Sequence, residues 1–97
     1  MDGPIRIDKW LWYARFFKTR ALAQRIAESG LIRLNGTRVV KSAAPVGPGD
    51  IVTLARGREV VSVKVLACAS RRCPAPEAQR LYQILSETGL DREPSPP

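Results

Sequence analysis

The stretch "TRALAQRIAESGLIRLNG", from Thr19 to Gly36, predicts a helix followed directly by a β-hairpin. Thr19 is a favourable helix N-cap because its hydroxyl can accept a hydrogen bond from an amide of the first turn. Gly30 suits the left-handed position that commonly ends a helix. Asn35 and Gly36 both tolerate positive φ and lie between two short β-like runs, so they predict the two-residue turn of a hairpin.

The predicted helix has an apolar face and a polar face. With about 100° of rotation per residue, one arc contains only apolar or small residues, namely Leu22, Ala23, Ile26, Ala27 and Gly30. The opposite arc carries Arg20, Gln24 and Arg25, which we expect to point toward solvent. In the following strand, alternation places Arg33 on the side opposite Ile32. The polar faces of both elements are therefore candidates for binding.

An aromatic segment precedes this helix. Five of the six aromatic residues of the chain lie within "DKWLWYARFFKTR", Asp8 to Arg20, where Asp8 is the expected N-cap of a first helix that continues to about Phe17. These aromatic residues nearly encircle the helix, so a single stripe cannot bury them all. We expect most of them in the core, covered in part by a C-terminal helix, with Trp12 or Phe16 left exposed. A platform that stacks unpaired bases is the alternative role for this segment.

The remainder of the chain predicts two strands and a third helix. "IVTLA" and "EVVSVKVLA" are expected to form strands joined by the tight "RGR" turn. Alternating valines from Val61 to Val65 indicate a half-buried antiparallel strand. After two prolines, an apolar stripe that includes Leu81, Tyr82 and Leu85 predicts a helix.

The expected fold class is therefore α+β. We expect two helices packed on a small antiparallel sheet that contains the Asn-Gly hairpin, plus a C-terminal helix. The expected boundaries are residues 5–70 for the domain, 71–88 for a C-terminal helical extension and 89–97 for a disordered tail. A chain of 97 residues is the usual size of one domain.

The charge of the chain indicates a polyanionic partner. Lys and Arg number 16 against 9 acidic residues, which gives a net charge of +7, and twelve of the cations are Arg. Residues 1–42 carry a net +6 and residues 43–73 a net +3, whereas residues 74–97 carry a net −2. Guanidinium groups bind phosphate oxygens with two donors at once, so an Arg-rich basic surface is suited to nucleic acid.

The most basic region coincides with the predicted pair of helices and the hairpin. Free amides and the helix dipole at the N-terminus of the second helix favour a phosphate, and Lys18 and Arg20 flank that position. If the hairpin packs beside this helix, Arg33, Arg38 and Lys41 extend the same basic surface. Such a surface positions a phosphate backbone and reads the shape of RNA rather than its base sequence.

The composition argues against several classes of protein. Without His, the chain lacks the usual general base and most zinc sites, and its two cysteines do not have the spacing of a redox or zinc motif. We therefore expect no cofactor, no metal and no catalysis, since Asp8, Asp50 and Glu59 have structural explanations as cap, turn and strand-edge residues. Neither a signal peptide nor an apolar run near the ~20 residues of a membrane span is seen, so a cytoplasmic protein is expected.

The segment "RIDKWLWYARFFKTRALAQRIAESGLIRLNG", Arg6 to Gly36, resembles the S-four RNA-binding domain, a module named for a small-subunit ribosomal protein. It matches the family's pattern of Arg-x-Asp-x-x-Leu, then Ser/Thr-Arg and a short helix, then Gly-x-apolar-x-apolar-Asn-Gly. The resemblance implies an RNA-binding surface on two helices and a hairpin. That implied surface consists of Arg6, Lys9, Lys18, Thr19, Arg20, Gln24, Arg25, Asn35, Gly36 and Arg38, to which the basic pattern adds Arg33 and Lys41.

Within this superfamily, the aromatic segment and "RRCPAPEA" are similar to the ribosome-associated heat-shock protein family of fifteen kilodaltons. That resemblance implies binding to ribosomal RNA of the large subunit, peptidyl-tRNA as a further partner, and a role in recycling ribosomal subunits. The family usually continues into a longer basic extension, whereas residues 74–97 are acidic and rich in proline. A DNA-binding regulator that uses the second helix and a protein-interaction adaptor are the alternative functions, and a monomer is expected.

Overall fold

The computed structural model describes residues 4–56, 59–69 and 72–89. The elements, in chain order, are β1 (Ile5–Arg6), α1 (Ile7–Tyr13), α2 (Arg20–Glu28), β2 (Ile32–Leu34), β3 (Thr37–Arg38), β4 (Pro45–Val46), β5 (Ile51–Arg56), β6 (Glu59–Val65), α3 (Ala75–Ala78), a 3-10 turn (Gln79–Leu81) and β7 (Tyr82–Gly89). Helices and antiparallel strands are thus combined in one small domain, and the predicted α+β class is confirmed.

Two antiparallel sheets form the scaffold. The larger sheet has the strand order β3-β2-β5-β6-β7, and the smaller one pairs β1 with β4. Within the larger sheet, Val52 of β5 lies opposite both Leu34 of β2 and Val63 of β6. The predicted alternation in β6 is confirmed, because Val61, Val63 and Val65 are all buried on the same side. The buried side chains of this sheet and of the two N-terminal helices belong to one hydrophobic core.

The first helix starts earlier than the sequence predicts. Because α1 begins at Ile7, its N-cap is Arg6, whose side chain makes no capping bond, and the prediction that Asp8 is the cap is wrong. The Asp8 carboxylate is fully buried in the first turn, where its Oδ1 accepts a hydrogen bond from the Lys9 amide at 2.7 Å. The carboxylate therefore still accepts from an amide of the first turn, but from a position inside the helix instead of from the cap.

A Schellman motif ends α1 well before the predicted end at Phe17. The amide of Phe16 donates to the carbonyl of Leu11 at 3.0 Å. The amide of Arg15 donates to the carbonyl of Trp12 at 3.0 Å, and Arg15 itself is left-handed with φ of 64°. Glycine usually occupies this position. An arginine takes its place here, so no Gly or Pro marks the helix end in the sequence.

This reversal of the chain carries the aromatic side chains into the core. Phe16 is buried, with its ring centroid 5.9 Å from that of Trp10 and 4.6 Å from that of Tyr82. Trp10 is also buried, and its indole Nε1 donates to the carbonyl of Ala67 at 2.9 Å. The expectation of an exposed Phe16 is therefore wrong, whereas Trp12 is half-buried.

The second helix and the hairpin agree with the sequence. The amide of Leu22 donates to Thr19 Oγ1 at 3.1 Å, which confirms Thr19 as the N-cap of α2. Gly30 follows the helix with φ of 86°. Asn35 and Gly36 have φ of 53° and 85°, so the turn between β2 and β3 has the two left-handed residues of a type I′ hairpin.

The C-terminal region is helical only at its start. Helix α3 and the 3-10 turn end at Leu81, which is buried, and β7 then pairs with β6 along its length. The prediction of a helix through residue 88 is wrong from Tyr82 onward, where the chain forms β7. The strand is favoured because it pairs with backbone N–H and C=O groups of β6 that would otherwise lack a partner strand. Apart from Gly89, the predicted tail of residues 89–97 lies outside the described residues.

Candidate nucleic-acid interface

Asp8 holds two of the arginines that the sequence predicts to bind RNA. Arg6 donates from Nε to Asp8 Oδ1 at 3.1 Å and from Nη2 to Oδ2 at 3.0 Å, a two-pronged ion pair. Arg20, the first residue of α2, places its Nε 3.8 Å from the same Oδ2. The side chains of Arg6 and Arg20 remain 41% and 40% exposed. One buried negative charge therefore fixes two cations at the surface.

Further polar contacts extend this arrangement to the end of α2. Arg6 Nη2 donates to Ser42 Oγ at 3.4 Å, and the buried Ser42 hydroxyl donates to Glu28 Oε2 at 2.9 Å. The Asp8 network, as we call it, consists of Arg6, Asp8, Arg20, Glu28 and Ser42. It connects α1, both ends of α2 and the segment between β3 and β4, so hydrogen bonds as well as apolar contacts fix their relative positions.

The other predicted residues of α2 lie on its solvent side. Thr19 caps the helix and is exposed, and Lys18 is exposed immediately before it. Gln24 and Arg25 are exposed on the face opposite the buried Ala23. The predicted division of this helix into an apolar and a polar face is confirmed at these positions.

The hairpin contributes cations from both of its strands. Arg33 of β2 lies directly opposite Arg38 of β3, so the two exposed side chains share one face of the sheet. Arg38 also packs against Gly30, just beyond the C-cap of α2, since a methyl group at Gly30 would overlap the Arg38 guanidinium. This position beside a helix C-terminus is favourable for a cation. The contact brings the hairpin next to α2, which is the condition for one continuous basic surface.

Asn35 and Gly36 have a structural role at the tip of the hairpin. Asn35 Nδ2 donates to Asp50 Oδ1 at 3.1 Å, and Asn35 Oδ1 accepts from the Ile51 amide at 2.8 Å. Both ends of this side chain therefore hold the turn against the start of β5. Both residues are exposed, and a methyl group at Gly36 would meet no atom within 4 Å, so the tip of the hairpin is open to a ligand.

Two lysines complete the predicted set from different positions. Lys41 is exposed in the segment after β3 and lines the same cleft as Arg38. Lys9 is half-buried on α1 and lines a different cleft, together with Arg6 and Tyr13. We call the set without Lys9 the basic surface; it consists of Arg6, Lys18, Thr19, Arg20, Gln24, Arg25, Arg33, Asn35, Gly36, Arg38 and Lys41.

Sequence reasoning missed three residues that border this surface. Asp8 positions Arg6 and Arg20. The spacing Arg-x-Asp, from Arg6 to Asp8, is the one sequence signal that could have predicted this role. Arg15 and Arg72 line a cleft with Lys18 and Phe17, and Arg72 Nη2 donates to the Phe17 carbonyl at 3.4 Å. Arg15 and Arg72 are far apart in the chain, so no local pattern places them together.

Two features are not seen in the described ranges, namely a membrane-spanning helix and a metal-binding cluster. No helix there combines the length and the apolar character that crossing a bilayer requires. In the same ranges, no group of three or more His, Cys, Asp or Glu residues is placed to hold a metal ion.

Known proteins are similar to this chain in sequence and in fold. The S4 (S-four) domain family model matches residues 5–52, a segment that contains every residue predicted to bind RNA. A heat shock protein 15 homolog of Haemophilus influenzae is 42% identical over 92 residues, which cover 95% of this chain and 70% of that protein. The RQC P-site tRNA stabilizing factor of Bacillus subtilis is 36% identical over 88 residues, which cover 89% of this chain and 98% of that protein.

A solved structure agrees with the same relationship. The trimeric structure of Vibrio cholerae heat shock protein 15 matches with a TM-score of 0.80 and 40% sequence identity. The match covers 86% of this chain and 83% of the other. The shared fold therefore extends beyond the segment that the family model matches.

Proposed function

Because the chain belongs to the S4 domain family, with heat shock protein 15 among its relatives, we propose that it is a non-catalytic RNA-binding protein that acts on ribosomes. The observation that carries this proposal is the basic surface, on which α2 and the hairpin are joined by the contact between Gly30 and Arg38. Two of its cations, Arg6 and Arg20, are held by the fold on one buried carboxylate. Cations fixed in advance lose little conformational entropy when they bind phosphates.

The geometry favours structured RNA over a DNA major groove. A helix that reads bases would project its N-terminal side chains into the groove. Here Arg20, at the N-terminus of α2, is turned toward Asp8, and the hairpin lies beside the other end of the helix. A helix end and a hairpin on one surface suit the irregular backbone of folded RNA, which proteins recognise largely through shape and phosphates.

The finer proposal concerns the ribosomal partner. We propose that the protein binds ribosomal RNA of the large subunit, contacts peptidyl-tRNA there, and takes part in recycling ribosomal subunits under stress. Two names support this assignment: heat shock protein 15, and a factor named for stabilizing P-site tRNA that aligns over 98% of its own length. The protein would act in the cytoplasm, where ribosomes are.

Binding to isolated large ribosomal subunits tests this function. Small subunits, tRNA and duplex DNA serve as competitors, and cosedimentation is measured over a series of salt concentrations. We expect binding selective for the large subunit, with an affinity that falls as salt rises because phosphate contacts release counterions. Equally weak binding to all four polyanions would contradict the ribosomal assignment.

A pair of double variants tests the surface. Replacing Lys18 and Arg25 by Ala removes two exposed cations of the basic surface, and replacing Lys64 and Arg80 by Ala removes two exposed cations elsewhere. Both variants lose the same net charge. We expect only the first to weaken binding strongly and to reduce the salt slope by about 1.5, at ~0.7–0.9 per phosphate contact. Equal losses in both variants would show that net charge alone drives binding.

A further inference from the structure

An apolar cleft lies between the hairpin and the segment that follows β3. Its volume is about 250 Å³. Its apolar lining residues are Leu34, Val39, Val40 and Ala44, and its polar lining residues are Thr37, Arg38 and Lys41. The charged residues on this lining are both cations, and both belong to the basic surface. The cleft is therefore continuous with the proposed RNA interface.

Val40 is the most exposed part of this lining. Its side chain is 63% exposed, more than any other large apolar side chain in the described part of the chain. A single exposed valine is ordinary on a protein surface. This valine, however, lies in an apolar cleft that Arg38 and Lys41 also line. An apolar lining that also includes two cations matches a ligand that joins an apolar face to negative charge.

The walls of the cleft are held by the fold. The amide of Val39 donates to the carbonyl of Ile32 at 2.8 Å, and the amide of Ala44 donates to the carbonyl of Lys41 at 3.1 Å. Between these two points, Ser42 is fixed by the Asp8 network. The cleft thus exists before any ligand binds, and little ordering is required on binding.

We infer that this cleft binds one unpaired base of the RNA, while Arg38 and Lys41 contact the phosphates on either side of it. A nucleotide combines an apolar base face with a charged backbone, which is the combination that the cleft displays. Base faces are stacked inside a duplex, whereas loops and bulges present them to a protein. The Thr37 hydroxyl can donate to or accept from a base edge. This inference rests on the proposed function and narrows its ligand to RNA with a splayed-out nucleotide.

Val40→Ser tests the inference without changing the charge of the surface. Its affinity is measured for an RNA stem that carries an unpaired loop and for the same stem fully paired. We expect about threefold to tenfold weaker binding of the looped RNA, from the loss of apolar contact. The salt slope should stay unchanged because no phosphate contact is removed, whereas Lys41→Ala should reduce it by about 0.7. Binding of the paired stem should not change in Val40→Ser.

A matched control and the double variant separate the possible failures. Leu66→Ser removes another exposed apolar side chain, away from the cleft, and should leave both affinities unchanged. The inference is overturned if Val40→Ser weakens the binding of looped and paired RNA equally, or if it weakens the binding of neither. The proposed function still stands in that case, provided that the Lys18 and Arg25 double variant loses binding. If that double variant also binds RNA normally, the proposed function itself fails. If Val40→Ser instead loses a contact to a ribosomal protein while its binding of RNA is unchanged, the cleft binds a protein and the inference is overturned.

Discussion

Asp8 is a carboxylate without exposed surface that faces two partly exposed guanidinium groups. Burying a charge is unfavourable unless it is paired, and the ion pair with Arg6 supplies two charge-assisted hydrogen bonds. The Lys9 amide adds a third donor to the same group. The residue therefore contributes both to stability and to the placement of Arg6 and Arg20.

Asp8→Asn should destabilise the fold and weaken RNA binding. The amide can still accept from the Lys9 amide, but the two arginines lose their counter-charge, at a cost of about 1–3 kcal/mol given their partial exposure. Urea denaturation gives the free energy of unfolding. The sign of the effect on RNA is the sharper readout, because removing an acid from a basic protein should otherwise tighten binding to a polyanion.

Glu28→Gln is the control for this prediction. It removes one negative charge from the same network, at a residue that is exposed. We expect a smaller loss of stability than for Asp8→Asn. Tighter RNA binding in both variants, with unchanged stability, would show that Asp8 acts through its charge alone and positions nothing.

At the scale of the element, the end of α1 depends on one arginine in a left-handed conformation. Residues other than glycine adopt that conformation at a cost of about 1 kcal/mol or more. The cost is offset where the reversed chain inserts Phe16 between Trp10 and Tyr82. Arg15 also donates from Nη1 to the Cys73 carbonyl at 3.3 Å.

A pair of substitutions at Arg15 separates the backbone from the side chain. Arg15→Ala and Arg15→Gly both remove the contact to the Cys73 carbonyl. We expect the glycine variant to be more stable than the alanine variant by about 1 kcal/mol, because only glycine is free of strain at this φ. Chemical denaturation of both variants measures the difference. Equal stabilities would mean that the left-handed residue is not strained.

The contact between the hairpin and α2 can be tested at Gly30. Gly30→Ala places a methyl group where the Arg38 guanidinium lies, so Arg38 must move, and the positive φ adds about 1 kcal/mol of strain. We expect Gly30→Ala to weaken RNA binding, and to weaken it no further in a protein that already carries Arg38→Ala. Such non-additivity is measured by a double-mutant cycle. Additive losses would show that Gly30 affects RNA independently of Arg38.

Sequence reasoning succeeded where a local chemical signal determines the element. The hydroxyl of Thr19 caps a helix, and Gly30 and the Asn-Gly turn tolerate positive φ. Each of these residue types therefore specifies the backbone conformation around it. It failed at the end of α1, where Arg15 occupies a glycine position. For the same reason, the sequence predicted which cations α2 and the hairpin expose, whereas their role in RNA binding stays a prediction. The role of Asp8 and the cleft at Arg72 depend on contacts between distant segments, which no local pattern reveals.

At the scale of the whole molecule, β7 completes the larger sheet and brings Tyr82 onto Phe16, which follows the end of α1. The apolar stripe of this region fits a helix as well as a strand in the sequence, because short apolar runs are ambiguous. The choice is made by β6, whose outer edge needs a hydrogen-bonding partner. That requirement belongs to the assembled sheet and cannot be read from residues 75–89 alone.

Two leucines distinguish the strand from the helix in solution. A helix would place Leu81 and Leu85 on one buried face, whereas in the structure Leu81 is 7% exposed and Leu85 is 48% exposed. We expect Leu81→Asp to destabilise the protein by more than about 3 kcal/mol, since it buries an unpaired charge. Leu85→Asp should leave the melting temperature nearly unchanged. A large loss in both variants, measured by thermal denaturation, would favour the helix.

The contacts that Ala67 and Tyr82 make with Trp10 and Phe16 have a consequence for how the protein is made. A ribosome synthesises Trp10 and Phe16 well before their partners Ala67 and Tyr82, which lie much further along the chain. During translation, the aromatic layer of the emerging chain therefore stays solvent-exposed until most of the domain has left the exit tunnel. We therefore expect folding in one late step rather than helix by helix. A nascent chain that stalls before Tyr82 should expose the apolar surface of its aromatic segment to chaperones.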